Sequence, residues 1–306
     1  MEFAVSGVHV SPWIPPLVAF AVSFLTSMGG VSGAFLLLPF QMSFLSFTSP
    51  AVSATNQVYN IVAIPSGVYR YVKEGRMVWP LVWVVVAGTL PGVLIGAVVR
   101  VRLLPDPGDF RIFAGLVLLY LGGRMVVDLV RGRDVAAEAE FRQRAARTER
   151  PENGICDGRT VMRRSSPTRI EFDFSGQCFS VPIWGLFTLS VTVGVVGGVY
   201  GIGGGAIIAP FLVSFFRLPV YVVAGVALAG TCATSAAGVG LYQALAPLHP
   251  EMSIAPDWVL GGLFGIGGVA GMYLGARCQK HVPAAAIKWM LAAVIVLVAA
   301  RYLGGW

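Results

Sequence analysis

Charged side chains are scarce in this chain, and their scarcity excludes most soluble folds. Only 12% of the 306 residues are Asp, Glu, Lys or Arg, whereas soluble domains carry about 25%. No charged residue occurs within 3–69, 174–216, 218–250 or 258–276. A water-soluble fold cannot hide such stretches, but a helix that crosses a bilayer needs about 20 mainly apolar residues. The composition therefore predicts an all-α polytopic membrane protein in contact with a lipid bilayer.

Sequence motifs for catalysis, metal binding and nucleotide binding are also missing. The four cysteines form no CxxC pair, which removes the usual zinc and redox motifs. The glycine run at 201–206 is not a dinucleotide-binding turn, because such a turn needs an acidic residue about 20 positions on and none follows until Glu251. No Walker motif and no Ser/His/Asp set occurs. We expect no enzymatic activity, no cofactor and no metal site.

The net charge of +7 does not indicate nucleic-acid binding. Ten of the 22 basic residues lie within 131–169, and eight acidic residues lie within 134–173. Such a mixture is typical of a solvated segment, whereas a nucleic-acid groove is lined mainly by positive charge. We therefore expect no nucleic-acid partner.

Ten apolar segments divide the chain into two halves. Five precede a polar linker and five follow it, which predicts a first membrane repeat at 1–130, a linker at 131–180 and a second membrane repeat at 181–306. The segments lie near 13–28, 31–47, 51–69, 78–99, 111–130, 181–198, 203–217, 220–245, 258–277 and 285–303.

The two halves match each other residue by residue. The pairs at a shift of 171 positions are Gly33 and Gly204, Pro39 and Pro210, Gly67 and Gly238, and Tyr71 and Tyr242. A shift of 179 pairs the glycines of the fourth segments, which are Gly88, Gly92 and Gly96 with Gly267, Gly271 and Gly275. The constant offset predicts an internal duplication. For the glycines of the fourth segments we expect a role in close helix packing.

Positive charges in the loops predict the orientation of the halves. The linker is Arg-rich and the loop at 70–76 lies two crossings before it, so both are placed in the cytoplasm, with the loop at 249–257 outside. Only Arg100, Arg102 and Arg111 lie on the unexpected side. An odd number of segments per half then makes the second half upside down, as in the inverted repeats of secondary transporters. The inversion also holds if the first two segments of each half are re-entrant.

The linker itself has two patterns that favour local structure. Residues 134–149 are rich in Ala, Glu and Arg and predict a solvated helix. Residues 168–182 alternate apolar and polar side chains around Ser175 and Gly176, which predicts a β-hairpin. A flexible tether is the alternative.

Glycine runs interrupt two apolar segments at equivalent positions. Glycine inside a helix costs about 1 kcal/mol relative to alanine, and a broken backbone at membrane depth must face protein or a water-filled cavity. The helix that begins after each break directs free N–H groups and its positive dipole end at that cavity, where an anion can bind. Close packing is the alternative role. The glycines assigned to substrate binding are Gly29, Gly30 and Gly33 in the first half, and Gly201, Gly203, Gly204 and Gly205 in the second.

Uncharged polar residues lie deep in the third segment of each half. Such groups are costly in lipid and usually face an interior path, where they can donate hydrogen bonds to an oxyanion. Asn56 and Asn60 are four residues apart and therefore share a helix face. Hydrogen bonding between helices is the alternative role. The residues assigned to substrate binding are Thr55, Asn56, Gln57 and Asn60 in the first half, and Thr231, Cys232 and Ser235 in the second.

The second glycine run and its weaker first-half copy resemble the TauE/SafE family of sulfite exporters and related sulfur-anion permeases. The matching residues are Gly197, Gly198, Gly201, Gly203, Gly204, Gly205 and Pro210. The resemblance covers both hydrophobic halves and implies a multi-pass protein of the bacterial inner membrane that moves sulfite, sulfoacetate or another organosulfonate. The triplet Ala54-Thr55-Asn56 departs from the Gly-Thr-Ser triplet common in the family, so the exact substrate does not follow.

These features together predict a transporter for a small sulfur oxyanion, such as sulfite or a short organosulfonate, bound at the paired glycine breaks near the membrane midplane. One alternative is a permease for thiosulfate or another small ion. The other is a membrane-embedded sensor that signals through the cytosolic insert. A homodimer is compatible with the sequence, which specifies neither the coupling ion nor the direction of transport.

Overall fold

Within the residues that the structure describes, ten α-helices form where the sequence has its ten apolar segments. The computed structural model describes residues 2–28, 32–130, 160–174, 177–216, 218–278 and 284–304. The helices are α1 (Ile14–Met28), α2 (Ala34–Phe44), α3 (Ala51–Lys73), α4 (Trp79–Arg102), α5 (Pro107–Val130), α6 (Ile183–Tyr200), α7 (Gly204–Ser214), α8 (Val220–Leu245), α9 (Trp258–Cys278) and α10 (Ala284–Gly304). Helices α4, α5, α6, α8 and α9 are long and apolar enough to cross a membrane, in agreement with the predicted multi-pass protein.

Helices α2 and α7 are short, with 11 residues each. Each begins directly after a glycine break and carries an internal proline, Pro39 in α2 and Pro210 in α7. At about 1.5 Å per residue, neither helix is long enough to cross a bilayer alone. Each half therefore starts with a longer helix, α1 or α6, and a shorter helix after the break, α2 or α7.

Parallel helix pairs connect the two halves: α4 packs along α6, and α1 packs along α9. Glycines let these backbones approach, since a Cβ at Gly92 would lie only 2.8 Å from the Cα of Gly194. The glycine contacts of the two pairs are Gly88 with Phe187, Gly92 with Val191 and Gly96 with Val195, and Gly267 with Pro16, Gly271 with Phe20 and Gly275 with Phe24. The partners on α6 and α1 are related by the same 171-position shift, so the contacts repeat between the halves.

Antiparallel pairs form where equivalent helices meet: α3 crosses α8, and α5 packs against α10. Gln57 faces Gly238 at one end of the α3–α8 contact, and Leu228 faces Gly67 at the other. The 171-position shift exchanges these two contacts, because it relates Gln57 to Leu228 and Gly67 to Gly238. In these two pairs the helices therefore run in opposite directions.

A three-stranded antiparallel sheet precedes α6, with strands β1 (Thr160–Ser165), β2 (Arg169–Phe174) and β3 (Gln177–Pro182) in that order. Strands β2 and β3 form where the alternating pattern indicates a hairpin, and β1 is an addition to it. The buried side chains of β2 pack against the helices. Thr160 donates from N–H and Oγ1 to the Gly75 carbonyl at 3.0 and 3.1 Å, which ties the sheet to the α3–α4 turn. The helix predicted at 134–149 lies outside the described residues.

The segment before α1 packs at the end of the bundle where α3 begins. Ser6 donates from N–H and Oγ to Oδ2 of Asp257 at 3.2 and 2.8 Å. Asp257 also caps α9, because its Oδ1 accepts from the Leu260 N–H at 2.9 Å. Its own N–H donates to Thr55 Oγ1 at 2.9 Å. Through its buried carboxylate and its backbone N–H, Asp257 therefore joins the N-terminal segment, α3 and α9.

Candidate functional site

Asn60 on α3 connects the first break (29–33) with the second break (201–203). Its Oδ1 accepts a hydrogen bond from Ser32 Oγ at 3.0 Å, and its Nδ2 donates to the Ile202 carbonyl at 3.1 Å. The same Nδ2 donates to Ser235 Oγ on α8 at 3.2 Å. One fully buried side chain therefore reaches both breaks and the third helix of the second half.

Asn56 lies one turn earlier on α3 and makes a second bridge. Its Nδ2 donates to the carbonyl of Ala34 at 2.9 Å and to that of Gly201 at 3.1 Å. Its Oδ1 accepts from Gln41 Nε2 at 3.4 Å. The amide donors of both asparagines are thus used within the protein. In this structure the side chains of Asn56 and Asn60 form hydrogen bonds that link helices and breaks, which is the alternative role that the sequence left open.

The second break has a backbone that favours glycine. Gly201 and Gly203 have φ angles of 82° and 75°, which residues with side chains rarely adopt. Gly201 ends α6, and its N–H donates to the Gly197 carbonyl at 2.9 Å. Ser53 packs directly against Gly201, and its Oγ donates to the Val199 carbonyl at 3.3 Å. The second break is therefore held tightly against the first turn of α3.

Unpaired donors gather at the start of α7. In the described part of the chain, the N–H groups of Gly204, Gly205 and Ala206 have no hydrogen-bond acceptor, because the first turn of a helix has no carbonyl before it. Ser235 Oγ accepts from α3 but has no acceptor for its own proton among those residues. It lies 3.0 Å from the position of a Cβ at Gly203. Four donors without acceptors thus lie around this helix start.

Gly204 and Gly205 also pack closely against other helices. A Cβ at Gly204 would lie 2.6 Å from the Cβ of Thr89 on α4, and one at Gly205 would lie 2.5 Å from the backbone nitrogen of Thr231 on α8. Contacts this short cannot be accommodated without moving a helix. Close packing therefore accounts for the lack of a side chain at both positions, while their N–H groups remain unpaired.

The start of α2 differs from the start of α7 in its capping. Ser32 Oγ accepts from the Ala34 N–H at 3.3 Å, which satisfies one of the free donors of α2. The equivalent position at the 171 shift is Gly203, which has no side chain to do the same. The two breaks are therefore asymmetric, and the first turn of α7 keeps more free donors.

Three further glycines were assigned to the first break. Gly33 precedes α2 and lies near two hydroxyl groups, Tyr59 Oη and Ser23 Oγ, which are hydrogen-bonded to each other at 2.7 Å. A Cβ at Gly33 would lie 2.7 Å from Tyr59 Oη. Gly29 and Gly30 lie outside the described residues.

Three of the polar residues assigned from the sequence do not join the network around Asn60. Thr55 Oγ1 accepts from the Asp257 N–H, at the start of α9. Thr231 Oγ1 donates to the Ala227 carbonyl of its own helix at 2.8 Å. Cys232 is half-buried and packs against the hydrophobic core. Thr231 is thus satisfied within its own helix and Cys232 is surrounded by apolar groups, whereas Thr55 Oγ1 accepts from Asp257 and has no acceptor for its own proton among the described residues.

Gln57 is the remaining assigned residue, and its amide is unpaired. The side chain is fully buried, yet neither Nε2 nor Oε1 has a hydrogen-bond partner. Gln41, also fully buried, leaves its Oε1 unpaired. A buried donor or acceptor without a partner costs about 1–3 kcal/mol. Among the buried side chains of the described residues, these two glutamines therefore bear this cost through their unpaired amide atoms.

Arg100 is a buried cation that sequence reasoning missed. It is fully buried at the last turn of α4. Its guanidinium donates to the carbonyls of Leu104 and Thr48 and lies over the Phe110 ring. No carboxylate of the described residues pairs with it, and its Nε is without a partner. The sequence did not indicate that Arg100 is buried, because an arginine at a helix end next to a loop is usually solvated.

The described residues contain no group of three or more His, Cys, Asp or Glu side chains placed to hold a metal ion. The buried polar residues of α3 and α8 are uncharged Ser, Thr, Asn and Gln. The chemistry available around the breaks is thus hydrogen bonding by neutral donors.

Comparison with known proteins assigns the chain to a family. The family model described as Sulfite exporter TauE/SafE matches residues 16–302. A probable membrane transporter protein of Xylella fastidiosa (strain Temecula1 / ATCC 700964) is 24% identical over 270 residues, which cover 88% of this chain and 83% of that protein. No solved structure matches the chain. The chain therefore belongs to the TauE/SafE family of sulfite exporters and is a multi-pass membrane transporter, not an enzyme.

Proposed function

We propose that the protein transports a small sulfur oxyanion, sulfite or a short organosulfonate, across the bacterial inner membrane. Family membership supports the substrate class. The observation that carries the site is the group of unpaired donors at the start of α7, formed by three backbone N–H groups and the Ser235 hydroxyl. An oxyanion is the ligand that such donors and the positive end of a helix dipole favour.

The absence of charge around these donors suits a transporter. An anion held only by backbone and hydroxyl dipoles can be released again, whereas transport fails when binding is too tight. The buried polar residues near the breaks are uncharged. Neutral donors therefore support a site that binds and releases its substrate.

We further propose that the two halves are inverted repeats, with 1–130 and 181–306 in the membrane and the linker 131–180 in the cytoplasm. The antiparallel contacts of α3 with α8 and of α5 with α10 support this arrangement, because equivalent membrane helices that run in opposite directions start from opposite faces. In this arrangement α1–α2 and α6–α7 enter from opposite sides, and their breaks meet near Asn60.

Flux measurements in proteoliposomes test the proposal. The purified protein is reconstituted, and uptake and efflux are compared for sulfite, methanesulfonate, thiosulfate, sulfate and a divalent cation. We expect sulfite or methanesulfonate to move fastest. Flux of the cation alone would contradict the substrate class.

A matched pair of variants tests the site. Ser235→Ala removes the unpaired hydroxyl, and we expect the KM for the anion to rise about tenfold, since a hydrogen bond to a charged group contributes about 1.5–3 kcal/mol. Ser190→Ala is the control, because Ser190 Oγ donates to the Leu186 carbonyl of its own helix at 2.7 Å. An unchanged KM in Ser235→Ala would exclude the start of α7 as the anion site.

A further inference from the structure

Gln57 is polar at a position where packing requires no polarity. Its side chain is fully buried against Gly238, and both ends of its amide lack a partner. The equivalent position in the other half is Leu228, which packs against Gly67 in the same way. The fold therefore accommodates leucine at this contact. Glutamine at position 57 lowers the stability of the folded protein, because its buried amide atoms have no hydrogen-bond partner.

The location of Gln57 relates it to the free donors at the start of α7. Gln57 is three residues before Asn60 on α3, and Gly238 is three residues after Ser235 on α8, so the two contacts lie one turn apart on the same helix faces. Asn60 and Ser235 are hydrogen-bonded at 3.2 Å. The Gln57 amide therefore lies one helical turn from the Ser235 hydroxyl along the α3–α8 seam.

The same seam continues toward the buried cation. Tyr242, one turn beyond Gly238, packs in one cluster with Ala54 of α3 and with Ala97 and Val101 of α4. Those two residues flank Arg100 on either side along α4. The order along the seam is thus Ser235, Gln57, Tyr242 and then the Arg100 end of the bundle.

The opposite end of the seam is apolar. The 171-position shift relates Gln57 to Leu228 and Gln41 to Leu212, and both leucines are in the second half, where Leu212 is fully buried. Both glutamines with unpaired amide atoms therefore correspond to leucines in the second half. On the α3–α8 seam, the unpaired amide of Gln57 thus lies at one end, and the apolar contact of Leu228 with Gly67 lies at the other.

We propose that Gln57 is a substrate-contacting residue, whose amide N–H groups bind the oxyanion as it moves between the start of α7 and the Arg100 end of the α3–α8 seam. This inference rests on the proposed function, since it takes the transported oxyanion as the ligand. The Nε2 group supplies two donors to the anion, and Oε1 accepts from water. Arg100 attracts the anion toward that end of the seam, because no carboxylate of the described residues neutralises it.

Gln57→Leu gives a test in which transport and stability move in opposite directions. The variant copies Leu228, so we expect the melting temperature in detergent to rise by about 2 °C or more, because one unpaired amide is removed. We expect the KM for sulfite flux in proteoliposomes to rise about tenfold. Thr234→Val is the control, because Thr234 Oγ1 bonds only carbonyls of its own helix, and its KM should match wild type.

The outcomes separate this inference from the proposed function. A higher melting temperature with an unchanged KM overturns the substrate contact at Gln57, while wild-type flux of sulfite leaves the proposed function standing. A lower melting temperature together with an unchanged KM also overturns it and makes Gln57 a structural residue. Absence of sulfur-oxyanion flux in the wild type itself rejects the proposed function and this inference with it.

Discussion

The guanidinium carbon of Arg100 lies 3.8 Å from the ring centre of Phe110. Both side chains are fully buried, Arg100 at the end of α4 and Phe110 in the first turn of α5. The pair closes the α4–α5 turn, and carbonyl oxygens of Leu104 and Thr48 accept from the same guanidinium. A cation over an aromatic face contributes about 2 kcal/mol when it is desolvated.

A double-mutant cycle measures this interaction. We expect Arg100→Lys and Phe110→Leu each to lower the free energy of unfolding, with a coupling energy of about 1–2 kcal/mol between them. The measurement is unfolding by denaturing detergent in mixed micelles. Additive effects of the two substitutions would show that the contact of the Arg100 guanidinium with the Phe110 ring does not stabilise the protein. Arg102→Lys, on the exposed face of α4, serves as the control.

Asn60→Leu should destabilise the protein. The substitution removes three hydrogen bonds and leaves the carbonyl of Ile202 in the second break without its donor. We expect the free energy of unfolding to fall by about 2–4 kcal/mol, since buried groups left unpaired cost about 1–3 kcal/mol each. Thermal unfolding in detergent checks this, and a variant as stable as Thr234→Val would contradict a bridging role.

Glycine-to-alanine substitutions should have opposite effects at two positions. Gly92→Ala places a Cβ 2.8 Å from the Cα of Gly194, so α4 and α6 must separate. Gly123 on α5 has open space where a Cβ would be, and alanine there should raise helix stability by up to about 1 kcal/mol. We expect a lower yield of folded protein for Gly92→Ala only, read by size-exclusion chromatography. Equal yields would reject the close α4–α6 packing.

Cysteine labelling tests the proposed inversion. Single cysteines replace Glu74, in the α3–α4 turn, and Glu251, between α8 and α9, in a variant without native cysteines. We expect an impermeant maleimide to label position 251 in intact cells and position 74 only after permeabilisation. Labelling of both from the same side would refute the inverted repeats.

Deletion of part of the linker tests whether the insert takes part in transport. Removing 134–157 spares the sheet, and we expect unchanged flux because the proposed anion site lies in the helices. Removing 134–175 also deletes β1 and β2, including the buried Ile170 and Phe172, and should lower stability. Loss of flux on the shorter deletion, with the protein still folded, would show that the insert is needed for transport.

The helices were predictable because apolar runs are local signals, whereas the inverted repeat stays a prediction. Apolar runs mark the ten helices of the described residues. Shifts of 171 positions for Pro16 and Phe187, and of 179 positions for Gly88 and Gly267, relate the distant contacts Pro16–Gly267 and Phe187–Gly88. Strand β1 was not predictable, since its pairing with β2 is irregular between Met162 and Arg164. The hairpin was predictable because its polar and apolar residues alternate.

The roles of individual site residues depended on contacts that no local pattern specifies. Asn60 was assigned to substrate binding, which stays a prediction, and its partners in the structure come from α8 and both breaks. The sequence could not show that its donors are occupied while those of Gln57 are free. The burial of Arg100 is likewise set by Phe110 and by carbonyls of two loops.

The pairing of α1 with α9 dictates when the protein can finish folding. Ser6 and Asp257, at the start of this pairing, are separated by 251 residues. During synthesis α1 is made long before α9, so the α1 surface that contacts Gly267 and Gly271 stays uncovered until α9 follows. Insertion and assembly are therefore separate events, and the first half produced alone has an unmatched surface that only a co-expressed second half can cover.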